Sequence, residues 1–468
     1  MRRDRSRRSG GGRSVHAIRR ALAIACATVA LTLVGAADAR APFRPLGVWG
    51  GPGAAPGQFN TPNGIAVDDM GHVYVADELN HRIQKFSSHG RLLGVLGGTP
   101  GVGNGQFNAP YGVAVDGFGD VYVADTRNNR IQKLSPTGRF LARWGRNGGD
   151  GSSGTGSGEF SSPRGVAVDD LGHVYVADHD NNRVVKLSPT GRFMAIWGRN
   201  GGDGTAGSAR GEFNLPRGVA VDHSGHVFVA EKANNRIQEF TSEGTFIRRW
   251  GAHGGDGTPG SGNGEFRVPY TIAIDGAGDM YVTDVLNHRI QKFGPTGRFI
   301  ARYGHNGGDG TPGTAPGEFE EPYGVATDCR SNVYVTEEGT ARVQKLGVAG
   351  RRAPRCPPEA TVAPQAAPRA AARGALRVTV ACDRPCSATV TAVITGASAR
   401  ALHARGQHRD PVLRGRPAEI RLALRRGDAA AIARAVRAGR RVRAHVTVRA
   451  TGFAGRARAV RRVVRIAP

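Results

Sequence analysis

The sequence predicts an all-β protein: a six-bladed β-propeller closed by an N-terminal strand, followed by a small Ig-like β-sandwich. Three observations carry this. First, Gly-x-Phe recurs with Phe at 59, 107, 160, 213, 266 and 319, a step of 48 residues and then four of 53. Repetition at this period is the mark of propellers and solenoids. Second, five of the units hold four short runs rich in β-branched and aromatic residues, separated by turn residues, and the sixth holds three. Third, the 468 residues include 70 Gly and 26 Pro with only 6% aromatics. Such usage argues against a helical bundle or a multi-span membrane protein, and Gly does not recur every third residue as collagen requires.

At the N-terminus, residues 1–20 hold eight Arg, and Ala21 to Ala37 follows without a charge. Ala37-Asp38-Ala39 then offers a small-x-small end. The three parts make a secretory signal peptide over residues 1–39, cleaved after Ala39. Kept as an anchor, the seventeen-residue stretch would stand at the lower edge of spanning length. The protein is therefore expected to be secreted or associated with the cell envelope. Without Cys26, four cysteines remain: Cys329, Cys356, Cys382 and Cys386. An even number outside the cytoplasm reads as disulfides. Cys382 and Cys386 flank a tight turn, and elimination pairs Cys329 with Cys356. A metal site would need a second Cys pair or properly spaced His, and neither accompanies them.

Within a blade the strands follow in order. In the second, Gly112-Val-Ala-Val-Asp116, Val121-Tyr-Val-Ala-Asp125, Arg130-Ile-Gln-Lys-Leu134 and Arg139-Phe-Leu-Ala-Arg-Trp144 are the four strands. Thr126-Arg-Asn-Asn129 and Ser135-Pro-Thr-Gly138 are turns between them. The sixth unit lacks its fourth strand. Phe43-Arg-Pro-Leu-Gly-Val-Trp-Gly50, ahead of the first unit, supplies that pattern and is expected to complete the last blade. The propeller thus covers residues 43–348. Residues 349–374, rich in Ala, Pro and Arg, read as a linker. Residues 375–468 form an Arg-rich β-sandwich domain, with one short helix over Asp428 to Ala438 capped by Asp428.

The Asn-x-Arg of the second turn, complete in five blades, gives the resemblance its name. Asn80-His81-Arg82 and Asn287-His288-Arg289 resemble the NHL-repeat family closely, and Asn-Asn-Arg ends at Arg130, Arg183 and Arg236. Thr340-Ala341-Arg342 departs from it. The resemblance implies a propeller of NHL repeats, of the secreted bacterial type. It also implies scaffold, receptor-sensor, RNA-binding or lyase roles, some relatives being peptidyl-hydroxyglycine lyases with a metal in the channel.

Repeated residues are expected to maintain the blade. Asp77, Asp125, Asp178, Glu231, Asp284 and Glu337 end the second strand across one turn from the Arg, so a pair between them would pin it. Function is sought where equivalent positions differ. Between Pro and Gly, where the innermost strand enters the channel mouth, stand Asn63, Tyr111, Arg164, Arg217, Tyr270 and Tyr323. Tyr and Arg are enriched at binding hot spots. They are expected at the rim of the mouth, so truncating each should cost little stability, within roughly 0.5 kcal/mol; the competing reading makes them ordinary solvated rim residues that bind nothing. Two further sets are weighed against metal sites. Asn147-Gly-Gly-Asp-Gly151 and its counterparts ending at Gly204, Gly257 and Gly310 offer one carboxylate each, too few for calcium, and read as flexible turns. His72, His173 and His226 share a turn after the first strand, but alternate blades separate two of them, and none lies on an inner strand.

The net charge of +26 is unevenly spread. Residues 43–350 carry 29 basic and 31 acidic residues, whereas 351–468 carry 26 Arg and 5 acids. A nucleic-acid face is therefore not expected on the propeller. The basic tail offers a polyanion contact, against the reading that 58 Arg to 6 Lys reflects composition alone. No nucleophile–base pair, acid–base carboxylate pair, kinase motif set or cofactor motif is present. The expectation is a monomeric, non-enzymatic binding module without a cofactor. It would recognise a protein, a peptide or a cell-envelope polymer on one propeller face. The alternatives are a metal-dependent lyase-like propeller and a nucleic-acid-binding NHL protein.

Overall fold

The structure is a computed structural model. It describes residues 43–348 except Asp69 and Phe118, and beyond them the backbone of the strands between 361 and 466. The expected signal peptide, Cys356, Cys382 and the helix at 428–438 lie outside the described residues.

In the second blade the strands are Pro110–Val115, Val121–Asp125, Arg130–Leu134 and Phe140–Gly145, antiparallel and in chain order. The first, third, fourth and fifth blades repeat this. The second strand is buried along its whole length. That is why it reads Val-Tyr-Val-Ala-Asp without the alternation of a half-exposed strand. The outermost strand is half-exposed and alternates more freely.

Blades pack face to face, and the core lies between them. Tyr74, Ala76 and Ile83 of the first blade meet Phe107, Val113, Val121, Val123 and Leu134 of the second. The six Gly-x-Phe phenylalanines are all fully buried. Each contributes roughly 1.5–3 kcal/mol of apolar burial, which accounts for the motif's recurrence. The Asp that follows the first strand caps its own turn. Asp169 accepts from the His173 amide at 2.8 Å and from the Tyr175 hydroxyl at 3.2 Å.

The sixth blade has three strands of its own, Pro322–Thr327, Val333–Glu337 and Arg342–Val348. Phe43–Gly50 pairs antiparallel with Arg342–Val348 as a fourth, with a register shift between Pro45 and Gly47. Phe43 stacks on Tyr303 of the fifth blade at 3.7 Å between ring centroids.

In the C-terminal part, seven antiparallel strands pair in one order. It runs Thr361–Gln365, Ala375–Ala381, Ala418–Ala423, Leu402–Gln407, Cys386–Thr395, Val442–Gly452 and Ala457–Ile466. Two groups, of three strands and four, are joined through a single residue pair, Arg405 with Ala423. Thr361–Gln365 falls inside the stretch that composition assigns to the linker. Its Pro364 is tolerated because the strand lies at the sheet edge.

Candidate functional site

The mouth is built on the acid–Arg node. In the second blade, Arg130 Nε donates to Asp125 at 2.7 Å, and both side chains are fully buried. Its other nitrogens donate to the carbonyls of Val102, Gly103 and Gln106, in the loop leading into the blade, and of Gly149 in the loop leaving it. Asp125 accepts further from the Asn108 amide, Asn128 and Gln132. The same pair closes at 2.6–2.8 Å in all six blades. The repeated acid is therefore saturated by donors and does structural work, as its repetition implies.

The middle residue of Asn-x-Arg has a separate task. His81, Asn129, Asn182, Asn235, His288 and Ala341 all take left-handed φ, between 46° and 53°. Five of them reach into the next blade. Asn129 Oδ1 accepts the Ser162 amide at 2.9 Å, and His81, Asn182, Asn235 and His288 do likewise for Ala109, Leu215, Val268 and Glu321. Those receiving residues stand just before each Pro and themselves hold φ of 49° to 62°. A residue before Pro disfavours helical backbone, so this strained joint needs the bond. His and Asn share the position because both present an acceptor on a short side chain. Ala341 has none, and it stands at the joint between the last blade and the first.

The strained joint delivers the next residue to the mouth. Around the channel the six first strands lie side by side, the sixth beside the first. They approach so closely that a Cβ on Gly112 would lie 2.1 Å from the Arg164 carbonyl, and one on Gly324 2.3 Å from that of Asn63. That explains Gly after the variable residue. In the fifth blade Thr271 takes its place, and its hydroxyl bonds the Tyr323 carbonyl at 2.6 Å. Thr283 joins the same carbonyl at 3.0 Å.

Asn63, Tyr111, Arg164, Arg217, Tyr270 and Tyr323 do not stand as a solvated rim. Asn63, Tyr111, Arg217 and Tyr270 are buried, and Arg164 and Tyr323 half-buried. The narrow ring turns their side chains onto one another. Arg217 donates to the Tyr111 hydroxyl at 2.6 Å and lies 3.8 Å above the Tyr270 ring. Arg164 lies 4.7 Å from the Tyr111 ring, and the Tyr270 and Tyr323 rings are 4.5 Å apart. Truncating Tyr111 therefore costs on the order of 3 kcal/mol, rather than the few tenths of a surface site.

A second set stands beside the first, one or two residues after the acid in five of the six blades: Glu78, Arg127, His179, Lys232 and Glu338. The signal that could have found it is the same variability that marks the Pro-x-Gly position. Asn63 donates to Glu78, whose carboxyl burial pushes up against the pull of Arg164. His179 is buried, and its Nδ1 lies 2.7 Å from Asp180. Burial and the neighbouring Arg164 and Arg217 push its imidazole down to about 4. Lys232 is lowered by burial and by the same two guanidinium groups. Burial raises the Tyr323 hydroxyl, and its hydrogen bond with Glu338 raises it further. Four buried polar atoms here have no protein partner: Asn63 Oδ1, Arg164 Nε, His179 Nε2 and Arg217 Nε.

The other candidates resolve as turns. His72 and His173 pair with Asp68 and Asp169 of their own turns at 2.9 and 2.8 Å, and His226 with Glu239 at 3.0 Å. In the Gly-Gly-Asp-Gly loops, Asp150 accepts from the Ser152 amide and hydroxyl, and Asp203, Asp256 and Asp309 do the same with Thr205, Thr258 and Thr311. Those bonds hold the Asp150, Asp203 and Asp309 carboxyls down to about 2. Cys329 lies in the turn after the first strand of the sixth blade, and its expected pairing with Cys356 reaches outside the described residues.

Four blades match the NHL repeat model, over residues 59–86, 107–134, 160–187 and 213–240. The chain is 38% identical to NHL repeat-containing protein 3 of Mus musculus over 96 residues, 20% of this chain and 26% of that protein. It is 34% identical to peptidyl-glycine alpha-amidating monooxygenase A of Xenopus laevis over 156 residues, 32% of this chain and 16% of that one. A probable peptidyl-alpha-hydroxyglycine alpha-amidating lyase of Caenorhabditis elegans is 30% identical over 141 residues, 30% of this chain and 38% of that one. The chain thus spans well under half the length of these relatives. The matched repeats coincide with blades whose pattern the remaining two share, and residues 43–348 are a six-bladed β-propeller of NHL repeats.

Proposed function

We propose that the protein is an exported, non-enzymatic binding module that holds its ligand or partner at the channel mouth. Asn63, Tyr111, Arg164, Arg217, Tyr270 and Tyr323 make the contacts. The observation that carries this is the set of partnerless polar atoms on Asn63, Arg164, His179 and Arg217. A buried donor or acceptor without a partner costs roughly 1–3 kcal/mol, and a ligand that supplies the partner recovers it. In this reading the chain works outside the cytoplasm as a monomer closed by Phe43–Gly50. Cys329–Cys356 and Cys382–Cys386 are its disulfides, a β-sandwich forms its tail, and that tail contacts envelope polyanions.

The test is capture from a cell-envelope extract by the full chain and by a Tyr111→Phe, Arg164→Gln, Arg217→Gln variant. Retained ligand with the first and at least about tenfold less with the second, the loss expected of a few charge-assisted bonds, is the expected result. Equal capture by both would remove the mouth from the reading.

The amidating relatives favour a second reading, a lyase-like enzyme. The mouth does not fit a metal of the kind that this reading requires. Its one buried imidazole, His179, faces two guanidinium groups that repel a cation. Among the described residues no group of three His, Cys, Asp or Glu side chains is placed to hold a metal ion. Stoichiometric metal surviving dialysis of the purified protein would reverse this preference.

A further inference from the structure

We infer that the channel mouth is built for a small zwitterion, its anionic group against Arg164 and Arg217 and its cationic group against Glu78 and Glu338. This rests on the mouth being the binding site, and it deepens that reading by naming the ligand class.

The argument starts from the ring. With six blades, the third stands opposite the sixth and the fourth opposite the first. Arg164 belongs to the third, Arg217 and Lys232 to the fourth. Glu338 belongs to the sixth and Glu78 to the first. The mouth therefore has a basic side and an acidic side facing each other across the channel. The carboxylates on the basic side are engaged: Asp180 by His179, Asp178 by Arg183 and Glu231 by Arg236.

Elsewhere in the propeller, opposite charges pair directly, as Arg130 does with Asp125. At the mouth the charged groups bond neutral neighbours instead. Glu78 accepts from Asn63, Glu338 bonds Tyr323, Arg217 donates to Tyr111, and Arg164 lies against the Tyr111 ring. Each charge is oriented by a neutral partner and keeps capacity for another. Arg164 Nε and Arg217 Nε are donors without acceptors, and His179 Nε2 and Asn63 Oδ1 are also partnerless.

Size follows from the same contacts. Arg217 of the fourth blade reaches Tyr111 of the second and Tyr270 of the fifth, so side chains of separate blades meet across the mouth and leave room only for a small molecule. A ligand that satisfies both is of amino-acid or dipeptide size. The Tyr270 and Tyr323 rings, tilted against one another, with Tyr111 between the two Arg, give it an apolar wall that also offers hydroxyls.

The test is equilibrium dialysis of the full chain against an equimolar library of free amino acids and dipeptides, read by mass spectrometry. At least one member should be retained. N-acetylation or C-amidation of that member should each weaken retention by about tenfold or more, since each removes a charge-assisted bond. Glu78→Gln with Glu338→Gln should weaken the free form and leave the N-acetylated form unchanged. Those two substitutions preserve shape, so the test does not depend on the buried Arg217. Three outcomes overturn the proposal: no member retained, capping without effect, or Glu variants without effect. If none is retained while envelope-extract capture still depends on Arg164 and Arg217, the ligand class fails and the binding site stands. If a zwitterion is retained equally by the Arg164→Gln, Arg217→Gln variant, the site fails as well.

Discussion

His179 shows how far a single side chain here departs from its ordinary chemistry. Its ordinary pKa of about 6.5 is pushed down to about 4 by burial, with Arg164 and Arg217 adding to the push. Between those values the unfolded chain binds a proton that the folded chain refuses. Stability therefore rises with pH across this window, and His179's contribution is lost as pH falls from about 6.5 towards 4. The full effect is on the order of 2–3 kcal/mol. Asp178, which burial holds up to about 6, slopes the other way: its contribution is present at low pH and fades as pH rises through 6. A variant separates the two. His179→Asn should keep the Asp178 slope and lose the acid-side decline, measured by urea unfolding at pH 4.5 and pH 7. Identical pH dependence in variant and parent would show that His179 titrates normally. The sequence marked neither group as unusual. Asp178 was legible as half of a repeated pair, because repetition separates blade maintenance from everything else. His179 was not, since a lone His after a strand carries no pattern and its environment comes from Arg164 and Arg217 on the innermost strands of its own and the next blade.

At the scale of the strand, legibility was high for a different reason. Second strands announce themselves because burial on both faces removes the need for polar alternation. The missing fourth strand of the last unit pointed to Phe43–Gly50, and that segment pairs with Arg342–Val348. The inner wall does not depend on it, because the first strands of the sixth and first blades already lie side by side. Deleting residues 43–50 should thus leave the channel in place and bare one strand edge. It should also remove the Phe43 stack on Tyr303 and the Trp49 contact with Tyr334. A buried aromatic contributes roughly 1.5–3 kcal/mol, so the melting temperature should fall by several degrees, and the exposed edge should drive association. Size-exclusion chromatography and a thermal melt decide it. An unchanged melt with a monomeric profile would mean that the pairing adds nothing to the ring. Illegible at this scale was the burial of the mouth. Nothing in Pro-Tyr-Gly or Pro-Arg-Gly reveals that neighbouring strands come close enough to stack Arg217 onto Tyr270.

Across the whole molecule the charge is divided by position. The propeller stretch is nearly balanced, at 29 basic and 31 acidic residues over 43–350, while 351–468 carries 26 Arg against 5 acids. Much of the propeller's charge is spent internally, in six acid–Arg nodes and in Lys residues laid over the second-strand Tyr rings. The basic residues that remain are outnumbered by the remaining acids, so the propeller offers no net positive field to a long anionic polymer, whose phosphate or sulfate groups need a run of free cations. The tail has that run in sequence. Binding to heparin should therefore follow residues 375–468, with elution from a heparin column at markedly higher salt for the full chain than for one ending at residue 350. It should weaken steeply as ionic strength rises, because exposed charges are screened within about 8–10 Å at physiological salt. The competing account is that 58 Arg against 6 Lys records composition, with no polyanion in mind. Replacing half the tail's Arg by Gln distinguishes the accounts in the full chain. Lower elution salt with an unchanged melt supports an electrostatic role for the tail. Co-elution of the truncated and full chains would place the polyanion contact on the propeller, and the division of charge along the sequence would then have no bearing on partners.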